Sequence, residues 1–234
     1  MMYGSVPVMG DGVVMRKQFI IFLFGVAGCF ASPADAGAPA RTPEARFQAL
    51  ETYLLQQPYR LRFAIGSSGA FTAALNGTLE MRADNTIHLT ATGHFGDAPV
   101  TLTLDSDGKT LRGGNGEKSF EIAAPPQLRE ALVIGLTRMG LLHNLARLVA
   151  GKAPDHMAGG VREWVRVSNM QHRLPLAADA PPDDIFMFDI EVANQPAGTA
   201  RLVVDATTRL PRERTQTVEF ETGSMKVTER YRVY

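Results

Sequence analysis

Residues 59–81, YRLRFAIGSSGAFTAALNGTLEM, decide the fold class. Apolar residues occupy mostly odd positions on both sides of the short sequence GSSG at 66–69. A period of two is typical of strands that bury one face and leave the other in water. The turn between the two runs is too short for a parallel crossover, which needs a dozen or more residues. The stretch therefore predicts an antiparallel hairpin with one apolar face.

The same alternation continues along most of the chain. Short, turn-like sequences separate the later runs, so they too are predicted to pair with their neighbours in an antiparallel meander. We expect about ten strands in total. The later ones are predicted at 87–91, 100–104, around 111, 119–122, 161–168, 186–192, 202–204, 218–220 and 225–234.

Two segments follow a helical period instead. Thr42 can cap a first helix in which Pro43 takes the first position, and Pro58 ends it. A longer helix is predicted from Gln127 to about Ala150, with leucines recurring on one wide stripe. Charged side chains interrupt it too often for a membrane span. Its stripe must be buried against the apolar face of the sheet.

Composition excludes several classes of protein. The chain has 234 residues with 24 basic and 24 acidic ones, so its net charge of +0 argues against nucleic-acid binding. Hydrophobic residues make up 45% and charged residues 21%, as in a folded globular domain. The single Cys excludes an intrachain disulfide framework and a zinc site built from cysteines.

The N-terminus has the pattern of an export signal. Translation is best read from Met15, because Arg16-Lys17 and the apolar run 19–27 then form a signal peptide. The run is too short to cross a bilayer. We expect residues 1–36 to be a targeting segment and residues 37–234 to form one domain in the periplasm or cell envelope.

Two cleavage sites compete. Ala34-Asp35-Ala36 fits a signal peptidase and would release a soluble protein near Gly37. Val26-Ala27-Gly28-Cys29 resembles the lipobox of bacterial lipoproteins, in which the cysteine is lipidated, and Cys29 is the only cysteine of the chain. The soluble form is slightly favoured, since Val is a less usual first residue of that box.

No catalytic or metal-binding constellation is evident. Asp105–Thr110 (DSDGKT) fits neither a calcium loop nor a phosphate loop and is predicted to be a turn. Arg212-Glu213-Arg214, together with Glu219, Glu221 and Arg230, is predicted to be the solvated face of the sheet with cross-strand pairs. Neither a metal nor a cofactor is expected. The histidines show no metal-ligand spacing and lie at positions 88, 94, 143, 156 and 172.

Residues 198–234, GTARLVVDATTRLPRERTQTVEFETGSMKVTERYRVY, resemble the C-terminal part of the bacterial lipoprotein-localisation carriers. Asp205, Leu210-Pro211 and Tyr231 match their layout of a strand ending in Asp, a turn leading to Leu-Pro, and a last strand with a Tyr. The resemblance implies an α+β fold: a curved antiparallel sheet forming an incomplete β-barrel, closed by the N-terminal helix and the longer mid-chain helix. In the carriers such a half-barrel holds acyl chains in an apolar cavity.

The leading hypothesis is a non-enzymatic envelope protein that binds a lipid acyl chain or another hydrophobic molecule. The alternative is an envelope scaffold or assembly factor with a packed interior, which meets a partner protein through its sheet. A membrane would be contacted only through a lipid anchor. The predicted cavity-lining residues are Phe63, Ile65, Phe71, Leu89, Leu102, Leu132, Leu136, Met139, Phe186, Phe188 and Leu202.

Overall fold

The computed structural model describes residues 42–82, 84, 86–153, 160–174, 183–220 and 223–234. The strands are β1 (Tyr59–Gly69), β2 (Ala73–Met81), β3 (Thr86–Phe95), β4 (Ala98–Asp107), β5 (Thr110–Gly114), β6 (Ser119–Ala123), β7 (Val165–Arg173), β8 (Asp183–Val192), β9 (Gln195–Asp205), β10 (Pro211–Phe220) and β11 (Gly223–Val233). The helices are α1 (Pro43–Gln56), α2 (Leu128–Ile134), α3 (Leu141–Val149) and α4 (Val161–Trp164), and a π-helical turn, Gly135–Met139, follows α2.

All eleven strands belong to one open sheet, in the order β6-β5-β4-β3-β2-β1-β11-β10-β9-β8-β7. Every described pairing is antiparallel, which confirms the predicted class of a curved antiparallel sheet with a few helices. The chain leaves the sheet at one edge, β6, and re-enters it at the other edge, β7. The connection between them contains α2, the π-turn, α3 and α4, so the helices lie in a crossover between the two edges.

The first hairpin shows how one face of the sheet becomes the core. Leu61 stands opposite Leu79, and Phe63 opposite Gly77, with the odd positions buried. A Cβ on Gly77 would lie 2.4 Å from the ring of Phe63, so this glycine leaves space for the aromatic side chain. β1 continues through the sequence predicted as a turn and ends at Gly69.

The first helix packs on the same apolar face. Thr42 accepts a hydrogen bond from the backbone N–H of Ala45 at 3.2 Å, and Pro43 takes the first turn. Phe47 then stacks edge-on against Phe186 and Phe188 of β8, with ring centroids 5.3 and 5.2 Å apart. The helix therefore packs against β8, in the half of the sheet formed by the C-terminal strands.

The prediction of one continuous helix from Gln127 to about Ala150 is wrong. The helical segment is interrupted at Gly140, whose φ of 95° is a conformation that side chains rarely allow. The residues before Gly140 form a π-turn, and α3 begins directly after it. The predicted strand 161–168 also differs, because residues 161–164 are the short helix α4 and the strand starts at Val165.

Several sequence predictions fall outside the described residues. These are the targeting segment 1–36, the two cleavage sites with Cys29, His156 and Glu221. Among the helices that the structure describes, none is long and apolar enough to cross a membrane.

Candidate functional site

The predicted lining residues lie between the sheet and the helices, mostly in close-packed surroundings. Nine of them are buried, with at most 3% of each residue exposed: Phe63, Ile65, Leu89, Leu102, Leu132, Leu136, Phe186, Phe188 and Leu202. Phe71 and Met139 are only partly buried, and Phe71 packs on Phe95 with ring centroids 4.6 Å apart.

Two small apolar spaces remain near these side chains. The larger, about 80 Å³, lies between α2, the π-turn, α3 and α4, and we call it the helical pocket. Its walls include Leu128, Ala131, Ile134, Met139, Val161 and Trp164. A second space of about 50 Å³ lies between the sheet and α2–α3, and Leu89 and Leu132 line it. Both are well below the 300–1,000 Å³ of ordinary small-molecule sites.

Buried polar contacts hold the π-turn in place. The carboxylate of Glu51 on α1 accepts two hydrogen bonds from Arg138, from Nη2 at 2.6 Å and from Nε at 2.7 Å. Thr137 also donates to Glu51, at 3.0 Å, and Arg138 donates through Nη1 to the carbonyl of Val165 at 2.7 Å. This two-point ion pair connects α1, the π-turn and the start of β7.

A second buried arginine completes the end of α1. Arg129 on α2 donates to the carbonyls of Leu54 at 3.1 Å and Leu55 at 2.6 Å, and also to those of Gln57 and Arg82. The last carbonyls of a helix have no hydrogen-bond donor within the helix, so the guanidinium of Arg129 supplies the donors that the end of α1 lacks.

Burial also shifts the titration of two groups at this place. Desolvation lowers the pKa of Arg129. Burial raises the pKa of the neighbouring Tyr59, whose hydroxyl lies 3.0 Å from Sδ of Met81.

The third arginine belongs to the break at Gly140. Arg214 on β10 is fully buried, stands opposite Glu229 on β11, and donates through Nη2 to the carbonyl of Arg138 and to Gln216 at 2.7 Å. Within the described part of the chain, its Nε and Nη1 have no hydrogen-bond partner. A Cβ on Gly140 would lie 2.7 Å from this Nη1 and would force the guanidinium to shift, at a φ that already favours glycine.

Glu229 in turn caps α3. Its carboxylate accepts the backbone N–H of Leu141 at 3.1 Å and that of Leu142 at 2.8 Å, together with the hydroxyl of Tyr231. Negative charge at a helix N-terminus is favourable, because the first N–H groups have no partner within the helix. The break at Gly140 therefore exposes a helix start, and β11 supplies the group that binds it.

Burial also perturbs the titration of this cluster. Desolvation lowers the pKa of Arg214, an effect that Glu229 and Tyr231 partly oppose. Desolvation, followed by the charge and the hydrogen bond of Glu229, raises the pKa of Tyr231 well above 10.0. The cluster is therefore a buried charged site, in addition to the Glu51–Arg138 pair and Arg129.

The prediction of a solvated charged face was wrong for Arg214. Arg212 and Arg230 are exposed as predicted and pair with Asp183 and Glu213 respectively. Arg214 lies an even number of residues from Val218 on β10, and Glu229 lies two residues from both Val227 and Tyr231 on β11. Alternate residues of a strand lie on the same face, so strict alternation would have placed both charged side chains on the inner face with these apolar and aromatic residues.

The motif residues of the C-terminal resemblance lie in two places. Asp205 accepts the backbone N–H groups of Thr207 at 2.9 Å and Thr208 at 2.8 Å, which shapes the β9–β10 turn before Leu210 and lowers the pKa of Asp205. Tyr231 lies in the buried cluster.

Two of the described histidines each contact one aspartate. His88 lies 2.6 Å from Asp105, and His172 lies 2.6 Å from Asp184, on different parts of the sheet. Among the described residues no group of three or more His, Cys, Asp or Glu side chains could hold a metal ion.

Comparison with solved structures finds distant matches to this chain. The matches include LprF from Mycobacterium bovis (TM-score 0.43, 10% identity, covering 82% of this chain and 93% of that one) and a LolA superfamily protein from Nitrosomonas europaea (0.31, 10%, 79% and 90%). MucB also matches, with a TM-score of 0.38 and 13% identity over 83% of this chain, although the chain spans only 58% of MucB. No family model and no curated protein matches the chain.

Proposed function

We propose that this protein is a non-enzymatic component of the cell envelope that binds a lipid or another hydrophobic molecule between the sheet and helices α2 and α3. The observation that carries the proposal is the broad apolar face of an open sheet, interrupted by the polar cluster of β10 and β11 and covered by short helices of a crossover. A cover made of separate short helices can be displaced without breaking any strand pairing.

In the described arrangement α2 and α3 lie close against the sheet. The spaces of about 80 and 50 Å³ do not accommodate an acyl chain, so binding requires that α2 and α3 move away from the sheet. We expect Gly140 to serve as the point of movement, since the helical hydrogen bonding is already interrupted there. The predicted lining residues would then become the wall of the enlarged cavity.

Titration with a fluorescent fatty acid tests the proposal. We expect saturable binding with one molecule per chain, and loss of binding in Leu136→Trp, because the larger indole would occupy part of the cavity that opens when α2 and α3 move away from the sheet. Leu136 is completely buried, so the added ring also lowers the free energy of unfolding, by about 1–3 kcal/mol.

Leu54→Trp is the matched control. Leu54 is equally buried but belongs to the last turn of α1, and the substitution overpacks the core to a similar degree. It should keep fatty-acid binding. Equal loss in both variants would point to general misfolding, and the absence of binding by the wild type would reject the proposal.

A scaffold function is the second candidate, and the packed interior favours it. Most of the predicted lining residues are at most 3% exposed, as in an ordinary core. A scaffold would bind no fatty acid, and native mass spectrometry of the protein released gently from its own envelope would show a partner protein in place of a lipid.

We further propose export through the N-terminal segment, with cleavage near Gly37 slightly favoured over lipidation at Cys29. If Cys29 is lipidated, the protein should fractionate with membranes and Cys29→Ser should release it. An N-terminus at Gly37 in a soluble periplasmic fraction would establish the other form.

A further inference from the structure

The outer face of the sheet contains two arginines placed directly against each other. Arg62 on β1 and Arg232 on β11 are exposed partners in the register of these strands. Like charges directly opposite on neighbouring strands destabilise a sheet. No acidic side chain of the described residues forms an ion pair with either of them, so the cost is not relieved within the described chain.

Further arginines surround this pair. Arg201 and Arg230 share a single carboxylate, that of Glu213, and Arg212 pairs with Asp183 at 2.9 Å and lies near Asp205. These pairs leave the excess positive charge on Arg62 and Arg232, although the whole chain has a net charge of +0. We call the five residues the arginine patch: Arg62, Arg201, Arg212, Arg230 and Arg232.

An exposed aromatic ring adjoins the patch. Tyr234, two residues after Arg232, is 50% exposed. The guanidinium of Arg62 lies over the ring of Tyr234, 4.9 Å from its centroid. Arginine next to an exposed tyrosine matches a lipid headgroup region, where phosphates pair with guanidinium groups and amphipathic rings lie at the interface.

We propose that the arginine patch is a docking surface for a membrane that bears anionic phosphate headgroups. An acidic protein segment would satisfy the charges but would give the exposed ring of Tyr234 no apolar partner. Docking would place the outer face of β1, β10 and β11 on the lipid surface and leave the helices on the opposite face of the sheet free. The proposal does not depend on whether a ligand enters the interior.

Sedimentation with lipid vesicles tests this surface. The exported protein is used with Cys29→Ser, so that no lipid anchor contributes, and is mixed with vesicles of phosphatidylglycerol or of phosphatidylcholine. We expect binding to the first only, weakened by salt. Arg232→Gln should weaken binding about fivefold and Arg232→Glu about 25-fold, at about 1 kcal/mol per charge at an anionic surface.

The charge reversal also separates docking from folding. Arg232→Glu converts the like-charge pair with Arg62 into an opposite-charge pair, so the midpoint of urea unfolding should stay constant or rise while vesicle binding is lost. Lys109→Glu, in the exposed β4–β5 turn, makes the same change in net charge outside the patch and should bind vesicles like the parent.

Three results would overturn the proposal. They are equal binding to both kinds of vesicle, vesicle binding that survives in Arg232→Glu, and binding to polyglutamate without binding to phosphatidylglycerol. The last result would assign the patch to an acidic protein partner.

Discussion

The inner face of the sheet has two regions built on different chemistry. On β1 to β4 the inward positions are apolar almost throughout, as in Leu61, Leu79 and Leu89. On β10 and β11 the inward positions include Arg214, Gln216, Glu229 and Tyr231, and all four are buried. One region holds its cover through burial of apolar area, and the other through directed hydrogen bonds.

The difference separates stability from position. Each fully buried apolar side chain contributes about 1.5–3 kcal/mol to the free energy of unfolding. This contribution has no direction, so it does not depend on which neighbours the side chain packs against. A buried charge pair contributes little net stability, because desolvation offsets the attraction, but it is costly to leave half of it unpaired. The polar region therefore determines where the helical cover lies, with the start of α3 held on Glu229.

Removing one charge of the polar region should have the largest effect. Arg214→Met leaves the Glu229 carboxylate buried with no cation opposite it and should lower the free energy of unfolding by about 3–5 kcal/mol. Adding Glu229→Gln to Arg214→Met should recover part of this loss, because the amide keeps one acceptor for the N–H groups of α3. Urea unfolding of both single variants and the double variant gives the coupling energy.

Arg230→Met is the control for this cycle. Arg230 lies on β11 next to Glu229 but points outward, and its side chain is 70% exposed. Its ion pair with Glu213 should contribute at most about 1 kcal/mol. If Arg214→Met costs no more than Arg230→Met, the polar region does not depend on charge pairing.

The two regions were not equally predictable from sequence. Alternation identified the apolar strands, because in β1 and β2 every buried position carries an apolar or aromatic residue. On β10 the same alternation was present, but its charged members were assigned to solvent by residue type. The break at Gly140 was missed because leucines recur on both sides of it, and what fixes it, a carboxylate from a strand 88 residues away, has no local signal.

Gly140→Ala should have the second-largest effect, and Gly160→Ala gives a matched comparison. Both glycines have similar backbone conformations, with φ of 95° and 89°, which cost a side chain about 1–3 kcal/mol. A Cβ at Gly140 would also meet Nη1 of Arg214 at 2.7 Å and Oε1 of Glu229 at 3.1 Å, whereas among the described atoms nothing lies within 4 Å at Gly160. Gly140→Ala should therefore be the less stable variant by about 1–3 kcal/mol in urea unfolding.

The binding readout of this pair tests the proposed movement. Because Gly140→Ala disturbs the closed arrangement at the start of α3, it should increase the affinity for the fluorescent fatty acid if opening precedes binding. Gly160→Ala should leave that affinity unchanged. Equal stability and equal affinity in the two variants would contradict the role assigned to the contacts at Gly140.

The smallest expected effect depends on pH and compares one tyrosine from each region. Burial raises the pKa of Tyr59, beside Met81 in the apolar region, and of Tyr231 in the polar region above the ordinary value of 10.0. A raised pKa means that the folded protein keeps a proton that the unfolded chain loses above about pH 10. The stability that this difference contributes is fully present below pH 10, so the free energy of unfolding should fall as the pH rises further, by at most about 1.4 kcal/mol per pH unit for each tyrosine.

Urea unfolding between pH 9 and 11 measures this fall. The free energy of unfolding should decline less steeply in Tyr59→Phe and in Tyr231→Phe than in the wild type, and the exposed Tyr234→Phe is the control. At neutral pH the two buried variants should differ, because Tyr231→Phe removes the hydrogen bond that the hydroxyl donates to the Glu229 carboxylate, whereas Tyr59→Phe removes only a contact with the sulfur of Met81. If both variants show the same decline above pH 10 as the wild type, burial does not raise the pKa of these two hydroxyls. The electrostatic difference inferred between the two regions would then be wrong.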